Sequence, residues 1–146
     1  MSQKNKHIIL LSYKEKLLRS IILLRASLHK VQPFDENKDY TFDELEPYDA
    51  LSDRFIRTVE VAIKFFRSYQ IYNEAITSET LRELLLYSEK QGLITKVDIW
   101  FEMREVRNQI VHDYLPDQQK MLYDDIINSF AKEIEFLQMQ VENKIK

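Results

Sequence analysis

Four residues near position 110 have side chains that could act on a phosphate group. They are Arg107, Asn108, His112 and Tyr114, in the string Arg-Asn-x-x-x-His-x-Tyr. An imidazole titrates near neutral pH, so His112 could transfer protons as a general acid or base. A guanidinium stays charged and donates two parallel hydrogen bonds to phosphate oxygens, so Arg107 could stabilise a transition state. Together these groups suit acid–base chemistry on a phosphate group.

Two side chains could assist Arg107 and His112 on the same helix. Asn108 lies one turn before His112 and could orient its ring or bind a phosphate oxygen, and Arg104 could extend the phosphate site. Each residue also has a structural alternative. Arg107 could form a surface ion pair, His112 could cap the end of the helix, and Tyr114 could anchor the following turn.

The helix that carries these residues is predicted to have two faces, an apolar face toward the core and a second face that mixes charged and apolar side chains. One motif supplies a single His, so two motifs meeting across a two-fold axis would supply both acid and base, which predicts a homodimer. Trp100 and Val111 lie on the same face as the arginines and could be buried against the second subunit, or could pack within their own bundle. The stripe predicted to face the core consists of Ile99, Met103, Val106 and Ile110.

Composition predicts an all-α protein. The chain has 146 residues, which fits a single domain covering residues 1–146, and only one Gly and three Pro, which suits a few long helices. It has no cysteine and no His spacing typical of a metal site, so no metal and no cofactor are expected. The net charge of -3 means that any contact with nucleic acid must use a local basic site. No membrane span and no secretory leader are apparent, which predicts a cytoplasmic protein.

Hydrophobic spacing predicts an up-and-down bundle of four to five helices. The longest loop is expected at residues 32–47, which contain two of the three prolines, and Gly92 is expected to end the third helix. The first two predicted helices cover residues 8–31 and 49–72. The third runs from a cap at Thr77 or Ser78 to Gln91, and the fourth from a cap at Asp98 to His112. The fifth follows Pro116 and has apolar residues at heptad-like spacing: Tyr123, Ile127, Phe130, Ile134, Leu137 and Val141.

The Arg-Asn-x-x-x-His-x-Tyr string resembles the motif of the HEPN superfamily, and its Tyr resembles that of the HepT toxins. The stretch at residues 52–60 is similar to the second helix of HEPN proteins that accompany minimal nucleotidyltransferases. The resemblance implies a HEPN-like fold and a metal-independent endoribonuclease toxin, with Arg107, Asn108 and His112 as catalytic residues and RNA as the substrate. It also implies a minimal nucleotidyltransferase antitoxin as partner, able to transfer AMP to Tyr114, in a homodimer or a higher hetero-oligomer.

Two alternatives to the toxin hypothesis stay open. The chain could be a non-catalytic substrate-binding subunit of a two-component minimal nucleotidyltransferase, with Arg107 and His112 binding a nucleotide phosphate. It could also be a helical interaction protein in which the motif is a coincidence, since a bundle alone does not define a function.

Overall fold

The computed structural model describes residues 1–110 and 115–146, and within them it contains helices and no strand. The predicted all-α helical bundle is therefore confirmed. The helices are α1 (Gln3–Leu28), α2 (Phe42–Glu74), α3 (Leu81–Lys90), α4 (Val97–Ile110) and α5, which consists of Pro116–Asp125, a π-helical turn at Ile126–Phe130 and Ala131–Lys144.

α1 and α2 run antiparallel along most of their length. Thr58 donates a hydrogen bond from its hydroxyl to the carbonyl of Ser20, and Gln3 at the start of α1 reaches the carbonyl of Tyr72 near the end of α2. The facing sides carry buried leucine, isoleucine and phenylalanine at three- and four-residue steps, as ridges-into-grooves packing requires.

α5, at the C-terminal end of the chain, packs against α1 at the N-terminal end. The Lys14 ammonium donates to the carbonyl of Ile145, and the Arg25 guanidinium donates to the side-chain oxygen of Gln138. This order makes α5 antiparallel to α1. Because α4 is also antiparallel to α2, as described below, the four long helices alternate in direction as an up-and-down bundle does.

The start of α2 differs from the prediction. Thr41 accepts a hydrogen bond from the Glu44 amide, and the Glu44 carboxylate accepts one from the Thr41 amide, so the two residues form a capping box. The helix therefore begins seven residues before the predicted start at position 49 and includes Pro47. The prediction treated Pro47 as a loop residue, whereas the structure places it inside α2, in the second turn, where a proline lacks the N–H that would bond within the helix.

The limits of α3 match the prediction at one end only. Thr80, rather than Thr77 or Ser78, caps α3 by accepting a hydrogen bond from the Glu83 amide. At the other end Gly92 has a φ of 77°, the left-handed conformation that glycine adopts without strain, so its predicted role as a helix stop is confirmed.

An aromatic cluster pins the connection between α1 and α2 onto the bundle. Phe34 stacks on Tyr40 with 4.7 Å between ring centroids, and Tyr48 and Tyr123 lie 5.0 Å apart beside them. The Tyr48 hydroxyl donates to the carbonyl of Gln32. Burial, together with the neighbouring Tyr40, raises the pKa of Tyr48 to about 12.

Across the described ranges, no helix combines the length and the hydropathy needed to cross a lipid bilayer.

Candidate functional site

α4 carries the predicted site, and two carboxylates hold its N-terminal end. The Glu89 side chain accepts a hydrogen bond from the Val97 amide at 3.0 Å, and that of Glu133 accepts one from the Thr95 amide at 2.9 Å. A helix N-terminus presents amide groups with no partner inside the helix and favours negative charge. The two glutamates therefore help to fix where α4 begins.

Glu133 is a buried carboxylate that receives three hydrogen bonds. Only 4% of the residue is exposed. One carboxylate oxygen accepts from the Trp100 indole N–H at 2.9 Å as well as from the Thr95 amide, and the other accepts from the Thr95 hydroxyl at 2.6 Å. A buried carboxylate is tolerated when such donors replace its hydration. Glu133 thus ties α4 to α5.

The core-facing side of α4 differs from the predicted stripe. Trp100 is 1% exposed, and its ring meets Phe66 edge-on with 5.1 Å between centroids, so it packs within its own bundle rather than against a second subunit. Ile99 is only half-buried and Ile110 is exposed, which corrects their assignment to the core. Burying the large indole and satisfying its N–H outweighs burying either isoleucine. The residues of α4 that are buried are Val97, Trp100, Met103 and Val106.

α4 crosses α2 in the antiparallel sense and leaves a groove between the two helices. The crossing is marked by Phe66 against Trp100 at one level and by Glu60 against Arg107 at the next. The groove has a volume of about 540 Å³, within the usual range for ligand pockets. Its lining consists of Ile56, Val59, Glu60, Ile63, Lys64 and Arg67 from α2 and Met103, Arg104, Glu105, Arg107 and Asn108 from α4.

The groove concentrates positive charge in a chain of negative net charge. Its polar rim holds four cationic side chains, two from each helix: Lys64, Arg67, Arg104 and Arg107. Only two carboxylates accompany them, so the groove has a local charge of opposite sign to the chain's -3. Its floor is apolar.

One ion pair occupies part of the groove. The Arg107 guanidinium lies 2.6 Å from a carboxylate oxygen of Glu60, and both side chains are largely exposed. Asn108 donates its amide N–H to Glu105 at 3.2 Å. Lys64, Arg67 and Arg104 also line the groove, and within the described ranges they make no ion pair.

This arrangement suits the binding of an anion. Guanidinium groups match phosphate geometry, and an ammonium contributes a point charge. Among the described lining residues there is no imidazole, hydroxyl or thiol that could serve as a nucleophile or a general acid, and the described residues hold no cluster of carboxylates and imidazoles fit for a metal ion.

The structure brings three of the predicted site residues together. Arg104, Arg107 and Asn108 line the same groove. His112 and Tyr114, with Val111, lie outside the described residues, so the roles assigned to them stay predictions. Sequence reasoning missed the contribution of α2. The signal was present as Glu60, Lys64 and Arg67 at helical spacing beside isoleucines, but only the tertiary contact shows that this face meets α4.

Comparison with known proteins identifies the family. Residues 15–143, most of the chain, match the family described as nucleotidyltransferase substrate binding protein like, and the chain belongs to this family. Among curated proteins, none gives a significant match. The family agrees with the predicted association with nucleotidyltransferases and with the HEPN-like helical fold, and it does not single out the HepT toxins.

The prediction of an endoribonuclease is wrong. The family that the chain belongs to is described by substrate binding, which points to a non-catalytic subunit rather than to a nuclease. The roles predicted for Arg107, Asn108 and His112 at this site, and contact with RNA, stay predictions.

Proposed function

We propose that the chain is a non-catalytic subunit that binds the substrate of a partner nucleotidyltransferase. The groove between α2 and α4 receives the phosphate groups of that substrate or of the nucleotide. The observation that carries this proposal is the gathering of four cationic side chains around one groove in an acidic chain of this family.

The chemistry of the groove favours a phosphorylated organic ligand over a free inorganic anion. Arg104 and Arg107 lie one turn apart on α4, and Lys64 and Arg67 lie one turn apart on α2, so charge approaches from both walls. The apolar floor, which includes Ile63, offers contact for a base, sugar or other carbon skeleton. A nucleotide satisfies both halves of this lining.

The open form of the groove suits a subunit that presents a substrate to another protein. Both cationic walls are reachable from solvent, and the Arg107 and Glu60 side chains are 68% and 48% exposed. A bound ligand would keep an exposed edge, on which a partner enzyme could act. Transfer chemistry would then belong to the nucleotidyltransferase and positioning to this chain.

Calorimetric titration of the purified chain with ATP and with inorganic phosphate tests the ligand class. We expect ATP to bind, and Arg104→Ala and Arg107→Ala each to weaken the binding about 5- to 30-fold, since a charge-assisted hydrogen bond in an accessible groove contributes about 1–2 kcal/mol. The matched control is Arg57→Ala, an exposed α2 arginine that pairs with Asp53 and does not line the groove. Equal weakening by the control, or undiminished binding by both groove variants, would refute the proposal.

Co-expression with a minimal nucleotidyltransferase encoded beside the chain's gene tests the partnership. The two proteins should copurify, and nucleotide transfer by the partner should increase when the chain is present. Omitting the chain, or replacing it by the Arg104→Ala variant, should remove that increase. A partner that is equally active alone would contradict the role of a substrate-binding subunit.

The same complex tests the separate prediction that Tyr114 accepts AMP. Mass spectrometry after incubation with ATP should show the added nucleotide on the wild-type chain and not on a Tyr114→Phe variant. An unmodified wild-type chain in an active complex would show that the nucleotidyl group goes to another acceptor.

A further inference from the structure

α1 has a second apolar face, which lies on the outside of the bundle. Its inward face buries Leu10, Leu17, Ile21 and Leu24. The outer face carries Ile8, Leu11, Leu18 and Ile22, with Glu15 in the middle, at steps of three, four, three and four residues. Ile8 is 55% and Ile22 61% exposed. This is the spacing of the two core positions in a coiled-coil heptad.

The side chains of this outer face border an open, shallow depression of about 370 Å³ whose exposed lining is almost wholly apolar. Its lining residues are Leu11, Lys14, Glu15, Leu18, Arg19 and Ile22. These six residues form two successive four-residue holes of the kind that receive a knob in coiled-coil packing, and the two holes share Glu15 and Leu18. The outer face of α1 is therefore shaped to receive the side chains of another helix.

We propose that this outer face is a homodimer interface in which α1 packs antiparallel against α1 of a second copy. The charges on this face indicate a second copy of α1 as the partner and set the relative direction of the two helices. A parallel pair would place Glu15 against Glu15 of the second copy, which buries two like charges together.

An antiparallel pair removes this repulsion. With the two-fold axis between positions 16 and 17, Leu11 lies opposite Ile22 of the second copy and Glu15 lies opposite Leu18. Arg19 of the second copy is then displaced from Glu15 by one residue, about 1.5 Å along the axis, within reach of its carboxylate. The two-fold axis generates this pair twice. The face is thus complementary to itself in shape and in charge, as an isologous interface must be.

The interface is independent of the candidate ligand site. No residue of α1 lines the groove between α2 and α4. The dimer therefore differs from the one predicted from the motif, which would have joined the two α4 helices, and it leaves both grooves open to a partner enzyme.

Sedimentation velocity tests the dimer. One helix pair buries a small interface, so we expect a monomer–dimer equilibrium with a dissociation constant of about 1–100 µM, followed at chain concentrations from about 1 to about 500 µM. Ile22→Glu should leave the chain monomeric throughout this range. Ile76→Glu is the matched control, because Ile76 is equally exposed at 63% but lies off α1. A wild-type chain that stays monomeric throughout, or an Ile22→Glu variant that dimerises like the control, would overturn the proposal.

Cysteine cross-linking tests the direction, in a chain that has no cysteine of its own. A Leu11→Cys, Ile22→Cys double variant should form a disulfide-linked dimer in oxidised glutathione. Leu11→Cys alone should not, because the two positions 11 are about 16 Å apart along the helix axis in the antiparallel pair, beyond disulfide reach. Rapid cross-linking by the single variant would indicate a parallel pair and overturn this arrangement.

The ion pair between Glu15 and Arg19 of the second copy has its own test. Arg19→Glu should weaken the dimer at least fivefold by opposing Glu15 of the second copy, and adding Glu15→Arg should restore it. Failure of the double variant to recover dimerisation would refute the Glu15–Arg19 contact.

Discussion

Replacing Glu133 should show how α4 is held. Glu133→Ala removes the acceptor of three hydrogen bonds and leaves the buried Trp100 indole N–H without a partner. An unsatisfied buried donor costs about 1–3 kcal/mol, and hydrogen bonds to a charged group contribute about 1.5–3 kcal/mol each. The Thr95 donors lie nearer the surface and can form hydrogen bonds with water instead. Removing a buried charge also offsets part of the lost free energy of unfolding. We therefore expect the free energy of unfolding to fall by about 2–4 kcal/mol.

Glu133→Gln separates charge from hydrogen bonding. The amide oxygen can still accept from Trp100 and the Thr95 amide, while the Thr95 hydroxyl can reverse and accept from the new amide group. The expected loss is about 1 kcal/mol. A glutamine variant as unstable as the alanine variant would mean that the negative charge, and not the hydrogen-bond geometry, holds α4.

Urea unfolding at 25 °C measures these losses, and a double-mutant cycle with Trp100→Phe isolates the indole contact. We expect a coupling energy of about 1–2 kcal/mol between Trp100 and Glu133, as contacting groups in one network show. With a denaturant slope of about 1.5–2 kcal/mol/M, the alanine variant should unfold at a urea concentration about 1–2.5 M lower. An alanine variant within about 0.5 kcal/mol of wild type, or a coupling near zero, would refute the role given to this carboxylate.

Three further outcomes are expected. Glu60→Gln should tighten ATP binding about 3- to 10-fold in calorimetry, because it frees Arg107 and removes a negative charge from the groove; unchanged or weaker binding would contradict this. The free energy of unfolding measured against pH should fall above pH 10, because Tyr48 ionises at its ordinary pKa in the unfolded chain but at about 12 in the folded chain. Tyr48→Phe should make this fall shallower. An equally steep fall in the variant would mean that Tyr48 does not cause it. Thr41→Ala should lower the free energy of unfolding by about 1 kcal/mol in urea by removing the capping box of α2, and no loss would mean that packing alone sets the helix start.

Much of the fold follows from local patterns in the sequence. Leucines at three- and four-residue steps predict α1, Gly92 predicts the end of α3, and Pro116 predicts the start of α5, and the structure has each of them. The start of α2 could also be predicted from the sequence, since Thr41 and Glu44 have the spacing of a capping box. The prediction instead followed Pro47 and assigned this stretch to a loop.

The errors concern contacts between residues distant in sequence. A helical wheel cannot place Trp100 in the core, because what settles its position is Glu133, which lies 33 residues away on another helix. The fifth helix shows the same limit. The heptad-like spacing selects Ile127 for the core, whereas the π-helical turn at Ile126–Phe130 buries Ile126 instead. One extra residue in a turn changes which side chain faces inward.

The candidate site was only half predictable. Arg104, Arg107 and Asn108 could be proposed from the motif, since they share one helix face. The α2 wall, with Lys64 and Arg67, depends on how two helices cross, which periodicity does not specify. The enzyme hypothesis failed for a related reason, because a short motif is compatible with both binding and cleavage.

The contacts between the two ends of the chain imply an order in which the helices dock during folding. Arg25 meets Gln138 across 113 residues and Lys14 meets Ile145 across 131, whereas α1 and α2 are neighbours along the chain. Contacts that close long loops pay a larger entropy cost, so α5 is expected to dock after the α1–α2 hairpin forms. Since Glu133 arrives with α5, α4 is anchored only then. Capacity to bind a ligand should therefore appear in the last phase of refolding, well after most of the helix content has returned.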